Sequence, residues 1–264
     1  MTDGAGDAGA PGQRDGTTPN VRQVRLTDLG EVLHAGWDDF RKAPQFGLFF
    51  AAVYVAGGWL ILYALIASGQ IWWTLPAATG FPILGPFIAC GLYEVSRRIE
   101  CREPIEWRGI LRVILAQKDR QIPSIAAVIV VFFLFWNFLA HMIFALFMGL
   151  QVMTNISSSL AVFTTLNGIA MLLVGSLIGA GFAVVLFSLT VVSLPMLLDR
   201  EVDFVTAMLT SISVVLHNPA TMLIWGLLIA VFLFLGMVPA FLGLFIVLPV
   251  LGHASWHLYR RALD

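Results

Sequence analysis

The sequence predicts an all-α protein, a polytopic membrane helix bundle, from its composition and from the distribution of its charges. Of its 264 residues, 59% are hydrophobic and only 12% are charged, whereas soluble domains carry roughly 25% charged residues. Three stretches without Asp, Glu, Lys or Arg cover residues 43–93, 121–198 and 204–259, and they are 51, 78 and 56 residues long. Because a helix needs about 20 apolar residues to cross a bilayer, each stretch can hold two crossings. This pattern excludes a soluble globular protein, and the net charge of −1 gives no argument for a nucleic-acid partner.

The basic residues predict the orientation of these crossings. All 15 lie in four regions, which are 14–42, 97–120, Arg200 and 260–261. The positive-inside rule places such regions in the cytoplasm, so the chain crosses an even number of times between them. Two crossings in each uncharged stretch predict six transmembrane helices, at residues 46–67, 74–96, 122–148, 168–197, 220–238 and 240–259. Both termini are then cytoplasmic.

The first 20 residues differ from the rest of the chain. They are rich in Gly, Asp, Ala and Pro and show no helical periodicity, which predicts a disordered cytoplasmic tail over 1–20. No basic start is followed there by an apolar run, so no cleaved signal peptide is expected. Residues 21–264 are expected to form a single transmembrane domain surrounded by the lipid bilayer.

A unit of one amphipathic helix and one transmembrane hairpin is expected three times. Segments with apolar residues at helical spacing cover 28–42, 104–116 and 202–216, and each is followed by a proline. Residues 75–98 also align without gaps onto 238–261, with the matches Pro76/Pro239, Ala77/Ala240, Gly80/Gly243, Ile83/Ile246, Pro86/Pro249, Arg97/Arg260 and Arg98/Arg261. Because each unit starts in the cytoplasm, the three repeats are parallel. The amphipathic segments are expected in the lipid headgroup layer or against a partner protein.

Ionisable side chains within the predicted spans are the candidates for a binding site. His253 and His257 lie four residues apart and share a helix face, and the repeat alignment pairs Cys90 with His253 and Glu94 with His257. These four side chains are ligand types that suit zinc or iron. The alternative, which the sequence favours, places Glu94 and His257 among hydrated headgroups and bonds His253 to a carbonyl. No metal and no cofactor are therefore assigned.

Two further groups lie in the middle of the chain. Asn137 and His141 share a face of the predicted third helix, and His141 lies about 28 Å along it, towards the outer membrane surface. Both are expected to hydrogen-bond between helices, and Gly175, Gly179 and Gly181 form a ridge that predicts close packing of the fourth helix. The sequence has no Gly-x-Ser-x-Gly, His-Glu-x-x-His, P-loop or dinucleotide-binding motif, which favours a non-enzymatic protein.

Several segments resemble one protein family. They are GLFF at 47–50, GPF at 85–87 with GLYEVSRR at 91–98, SLPMLLDREVDF at 193–204 and LGHASWHLY at 251–259. Together they are similar, over residues 21–261, to predicted integral membrane proteins of unknown function that are widespread in proteobacteria. The resemblance implies the bacterial inner membrane and no established activity. Some members are named after cytochrome c oxidase subunit I, but that oxidase core needs more histidine ligands than His141 and His253, the two that lie well inside predicted spans here.

Three functions remain open on the sequence alone. The first is a non-enzymatic scaffold or accessory factor that binds other membrane proteins, including a respiratory complex, through its amphipathic helices and glycine ridge. The second is a transporter or channel for a small solute or ion, suggested by the parallel repeats and proline-interrupted helices. The third is a metal-binding membrane protein built on Glu94, His253 and His257. The scarcity of polar groups within the spans favours the first.

Overall fold

The computed structural model describes residues 20–68, 74–149 and 165–263, and the prediction of an all-α protein is confirmed over these ranges. Their ten α-helices are α1 Leu26–Lys42, α2 Pro44–Ser68, α3 Thr74–Cys101, α4 Trp107–Ala116, α5 Ile122–Met148, α6 Leu166–Thr190, α7 Ser193–Asp199, α8 Phe204–His217, α9 Pro219–Met237 and α10 Leu244–Ala262. The predicted tail over 1–20 lies outside the described residues apart from Asn20.

Four helical segments are long and apolar enough to cross a membrane. They are Pro44–Tyr63, Ile122–Met148, Leu166–Asp199 and Pro219–Met237. The other two predicted spans form helices α3 and α10, but both are less apolar because their last turns carry polar and charged side chains. The structure therefore has four candidate spans among its described residues, and the six-span topology stays a prediction.

The predicted fourth span is divided in two. The sequence predicts one helix over 168–197, whereas the structure ends α6 at Thr190 and begins α7 at Ser193. Pro195 explains the interruption, because a proline lacks an N–H group and its ring clashes with the carbonyl four residues earlier. The Val192 N–H donates instead to the hydroxyl of Ser211, at 3.1 Å, so a donor at the break is satisfied within the protein.

Each of the three uncharged stretches contains one helical hairpin. Helix α2 packs on α3, α5 on α6 and α9 on α10. The turn before α10 is tight, since a Cβ added to Gly243 would lie 2.7 Å from the Cα of Gly236. Ala240 and Phe241 adopt positive φ angles of 51° and 67° in this turn. The repeat alignment expects the same structure at 75–80 and 238–243, yet α3 is helical from Thr74 while 238–243 form a turn.

The described parts of all four basic regions meet at one end of the molecule. Arg261 pairs with Asp28 at 3.4 Å, Arg260 pairs with Glu100 at 3.1 Å, and a further ion pair joins Arg120 to Glu201 at 3.3 Å. Each uncharged stretch must therefore leave this end and return to it, as the charge pattern requires. We call this the charged end.

The first and last described residues also lie at the charged end. Val21 pairs with Leu263 in an antiparallel bridge, and the Arg22 N–H donates to the carbonyl of Ala262 at 2.9 Å. Asn218, between α8 and α9, holds this segment in place because its Oδ1 accepts from Val24 N–H at 2.8 Å and its Nδ2 donates to the Arg22 carbonyl. The two ends of the described chain are thus on the same side of the bundle.

Helix α10 is the centre of the fold, since α1, α2, α3 and α9 all pack against it. The main hydrophobic core lies mostly towards the charged end and includes the fully buried Trp256 and Tyr259 of α10. Helices α5 and α6 contribute less to it, because the only buried residues are Ile122, Ile125, Ala126 and Ile143 in α5 and Gly168 in α6. The α5–α6 hairpin therefore presents most of its surface to its surroundings.

Candidate functional site

A buried polar cluster lies where α1, α3 and α10 meet. Asp39 of α1 is 3% exposed, and its Oδ2 lies 2.7 Å from Nε2 of His257 on α10. Lys42 of α1 lies at the edge of the cluster, with its Nζ 3.6 Å from the same carboxylate. We call Asp39, Ser96, His253 and His257 the polar junction, because their side chains connect three helices.

Ser96 connects Asp39 to the more deeply buried His253. Its hydroxyl hydrogen-bonds the Asp39 carboxylate, and its Oγ lies 2.8 Å from Nδ1 of His253, which is completely buried. A carboxylate only accepts, so Ser96 gives its single proton to Asp39 and accepts from His253. Nε2 of His253 has no hydrogen-bond partner within 3.5 Å among the described residues.

The surroundings keep Asp39 ionised. Burial alone raises the pKa of this carboxyl, but the hydrogen bond and charge of His257 and the hydroxyl of Ser96 outweigh burial and hold the pKa below its ordinary value. An ionised Asp39 accepts from both neighbouring helices at once. Its role in this geometry is to hold α1 against α3 and α10.

Glu94 does not join the histidines. It is 1% exposed, and its two carboxylate oxygens accept from Arg97 at 2.8 Å and from Arg98 at 2.6 Å. Arg97 also bonds Glu103 in the loop after α3, and this hydrogen bond lowers the pKa of Glu103. The predicted placing of Glu94 among hydrated headgroups is therefore wrong, because two guanidinium groups satisfy it inside the protein.

The metal-site hypothesis has no support in this geometry. Across the described ranges, no three His, Cys, Asp or Glu side chains are placed to hold a metal ion. Cys90 is buried, Glu94 binds two arginines, and His253 and His257 bond Ser96 and Asp39 within the polar junction.

Asp39 and Ser96 are the functional candidates that the sequence analysis missed. A signal for Asp39 was present, because it follows the buried residues Val32 and Gly36 by seven and three positions and therefore shares their face of α1. An acidic residue on the apolar face of an amphipathic helix needs a buried partner. No comparable signal marks Ser96, since a serine within an apolar helix commonly bonds its own backbone.

Asn137 and His141 lie on α5, far from the polar junction along the chain. The Asn137 side chain donates to the Phe133 carbonyl at 2.8 Å, and Nδ1 of His141 lies 2.7 Å from the Asn137 carbonyl. Both contacts are with the residues' own helix, whereas the sequence analysis expected bonds between helices.

A groove of about 810 Å³ lies along the contact between α5 and α6. Its α5 side includes aromatic rings and His141, and its α6 side includes Gly175, Ser176 and Gly179. Of the predicted glycine ridge, Gly179 faces Trp136, where an added Cβ would lie 2.8 Å from the ring, and Gly175 has only Ile143 near it, at 4.0 Å. A Cβ on Gly181 would meet no described atom within 4 Å.

Comparison with known families agrees with the helical architecture. Residues 74–199 match the family model described as "Predicted integral membrane protein (DUF2189)", which spans α3 to α7. This chain is an integral membrane protein. The matched part includes Glu94, Asn137, His141 and the three ridge glycines, whereas the histidines of α10 lie outside it. The family description assigns no activity, ligand or partner. No curated protein and no solved structure matches the chain.

Proposed function

We propose that the protein is a non-enzymatic scaffold or accessory factor of the bacterial inner membrane, with its charged end in the cytoplasm. It binds other membrane proteins through the outward face of α8. The observation that carries this proposal is the exposed apolar side of α8, where Leu209 is 61% and Leu216 is 72% exposed although the opposite side of the helix is buried.

Helix α8 lies close to the charged end. Its N-terminus is capped by Asp203, whose Oδ1 accepts from Thr206 N–H at 2.9 Å, and the preceding residues include Arg200 and Glu201. One side packs on α6, α7 and α9 and buries Ser211 and Val214, among others. The outward side is apolar apart from His217 in the last turn, and no Asp, Glu, Lys or Arg occurs in the helix. This side therefore suits an apolar helix of another membrane protein.

Helix α4 offers an instructive contrast at the same end. Leu111 and Leu115 are exposed there too, but Arg108 and Arg112 lie on the same helix and are also exposed. A basic amphipathic helix suits the anionic headgroups of the cytoplasmic leaflet. Because α8 lacks such residues, a protein partner fits it better than a headgroup layer does.

Site-specific photocrosslinking in cells tests this proposal. A photoreactive amino acid at Leu209 of α8 should give a discrete protein adduct, whereas the same amino acid at Leu111 of α4 should give adducts with lipid. Both positions are exposed leucines on short helices, so Leu111 is a matched control. If Leu209 gave only lipid adducts, as Leu111 does, the scaffold proposal would be wrong.

A further inference from the structure

The groove between α5 and α6 is a molecular-sized, largely apolar site within two candidate membrane spans. Its volume of about 810 Å³ lies in the range of small-molecule pockets, roughly 300–1,000 Å³. Phe132, Phe133, Trp136, Phe144 and Phe182 give it aromatic surface. An occupant must therefore be soluble in the membrane and mainly apolar.

His141 gives this apolar groove a specific polar atom. Among the described residues that line the groove, it is the only ionisable one. Its Nδ1 contacts a backbone carbonyl, which only accepts, so the proton of the neutral ring lies on Nδ1. Nε2 then carries a lone pair and recognises a hydrogen-bond donor, such as a hydroxyl group.

The depth of His141 fits an amphiphile. Helix α5 starts at the charged end, and His141 lies 19 residues after its first residue, about 28 Å along the helix axis. The groove extends back from His141 to Ile129, 12 residues or about 18 Å towards the membrane centre. A headgroup at the far membrane surface and an apolar chain reaching inwards match this arrangement.

We propose that the α5–α6 groove binds a lipid with a hydroxyl headgroup, which donates a hydrogen bond to Nε2 of His141 while its apolar chain lies along the groove. This site is independent of the α8 surface that carries the proposed function. Phosphatidylcholine has no hydroxyl or N–H donor in its headgroup and is expected to bind without regard to His141.

A pair of probes can isolate the hydrogen bond. The full-length protein in phosphatidylcholine nanodiscs is titrated with a brominated hexadecanol or with its methyl ether, which has the same chain but no donor. Quenching of Trp136 reports on occupancy, because its ring lines the groove, and Trp136→Phe supplies the background from the other tryptophans. The alcohol should bind roughly fivefold more tightly than the ether, as one hydrogen bond allows.

Three variants decide the outcome. His141→Ala should abolish the preference for the alcohol, and Gly175→Leu should weaken both probes by filling the groove at a position where the added Cβ has only Ile143 nearby. His217→Ala is the control, because His217 also bonds the carbonyl four residues earlier, at 3.2 Å, but lies on α8. Equal binding of the two probes to the unmodified protein, or an alcohol preference that survives in His141→Ala, would refute the proposal.

Discussion

The Asp39 side chain connects α1 to two neighbouring helices, α3 and α10. Its carboxylate is almost completely buried and accepts from α3 and α10 at once, while the rest of α1 contributes mostly apolar contacts. Removing one partner from a buried polar cluster leaves the others unsatisfied, which costs more than an exposed interaction is worth. The neighbouring Asp38 offers a comparison, because its contact with His34 is 3.2 Å long and exposed.

We predict that Asp39→Ala destabilises the protein by about 3 kcal/mol, since it leaves Ser96 and His257 without their shared acceptor. Asp38→Ala should change the free energy of unfolding by less than about 0.5 kcal/mol, as expected for an exposed pair. Denaturation in mixed detergent micelles, followed by circular dichroism, measures both values. Equal effects of the two substitutions would show that the polar junction does not hold α1.

The sequence analysis identified two of the four residues of the polar junction, His253 and His257. It selected His253 and His257 because ionisable groups in an apolar helix are costly. It paired them with Glu94 by the repeat alignment, although Arg97 and Arg98, three and four residues further along the same helix, satisfy that carboxylate. The partners of His253 and His257 lie on other helices. The spacing of residues along the sequence does not give the distances between helices.

At the scale of elements, close contact between α1 and α10 depends on a glycine. A Cβ added to Gly36 would lie 2.6 Å from the Val250 carbonyl oxygen and 2.7 Å from the Ala254 nitrogen. Both atoms belong to the backbone of α10, so neither can move aside as a flexible side chain would. Gly30, on the same helix, has no atom within 4 Å of such a Cβ.

Gly36→Ala should therefore destabilise the protein by about 2 kcal/mol, because α1 must move away from α10 to make room for the methyl group. Gly30→Ala should instead stabilise it by up to about 1 kcal/mol, since alanine favours a helix without new contacts. Unfolding of both variants in urea or detergent shows whether each substitution raises or lowers the free energy of unfolding. A stabilising Gly36→Ala would mean that α1 does not approach α10 as closely as described.

Most helices could be predicted from the sequence because apolar length and proline positions determine them locally. Residues 122–148 were predicted as a span and form α5, and the proline after each amphipathic segment opens or closely follows the start of α2, α5 and α9. The division of α6 from α7 was missed, since the stabilising contact of Val192 comes from Ser211 on another helix. A break at residue 239 was predicted, but the length of the turn over 238–243 was not, because it depends on the approach of Gly236 and Gly243.

At the scale of the whole molecule, the contacts at the charged end constrain topology. Asn20 and Cys101 are exposed there, while Thr165 caps the N-terminus of α6, at the opposite end of this candidate span. The arginine pairs of α3 and α10, which the repeat alignment matched, both lie among acidic partners at this end. One side of the membrane should therefore hold both described termini.

Cysteine labelling in intact spheroplasts checks this topology. Cys101, and the introduced cysteine of an Asn20→Cys variant that also carries Cys101→Ser, should react only with a membrane-permeant maleimide, whereas Thr165→Cys should also react with an impermeant one. Cys90 is buried and adds no background. Labelling of positions 20 and 101 from opposite sides would overturn the even number of crossings between them.

The pairing of Val21 with Leu263 has a consequence for biosynthesis. Helix α1 leaves the ribosome early, but the surface that receives it belongs to α10, which is made after the nine other described helices. During translation, Asp39 and the neighbouring face of α1 must wait without their final contacts while the intervening hairpins insert. A nascent chain stalled before α10 therefore lacks His257 as a partner of Asp39 and exposes the face of α1 that packs against α10.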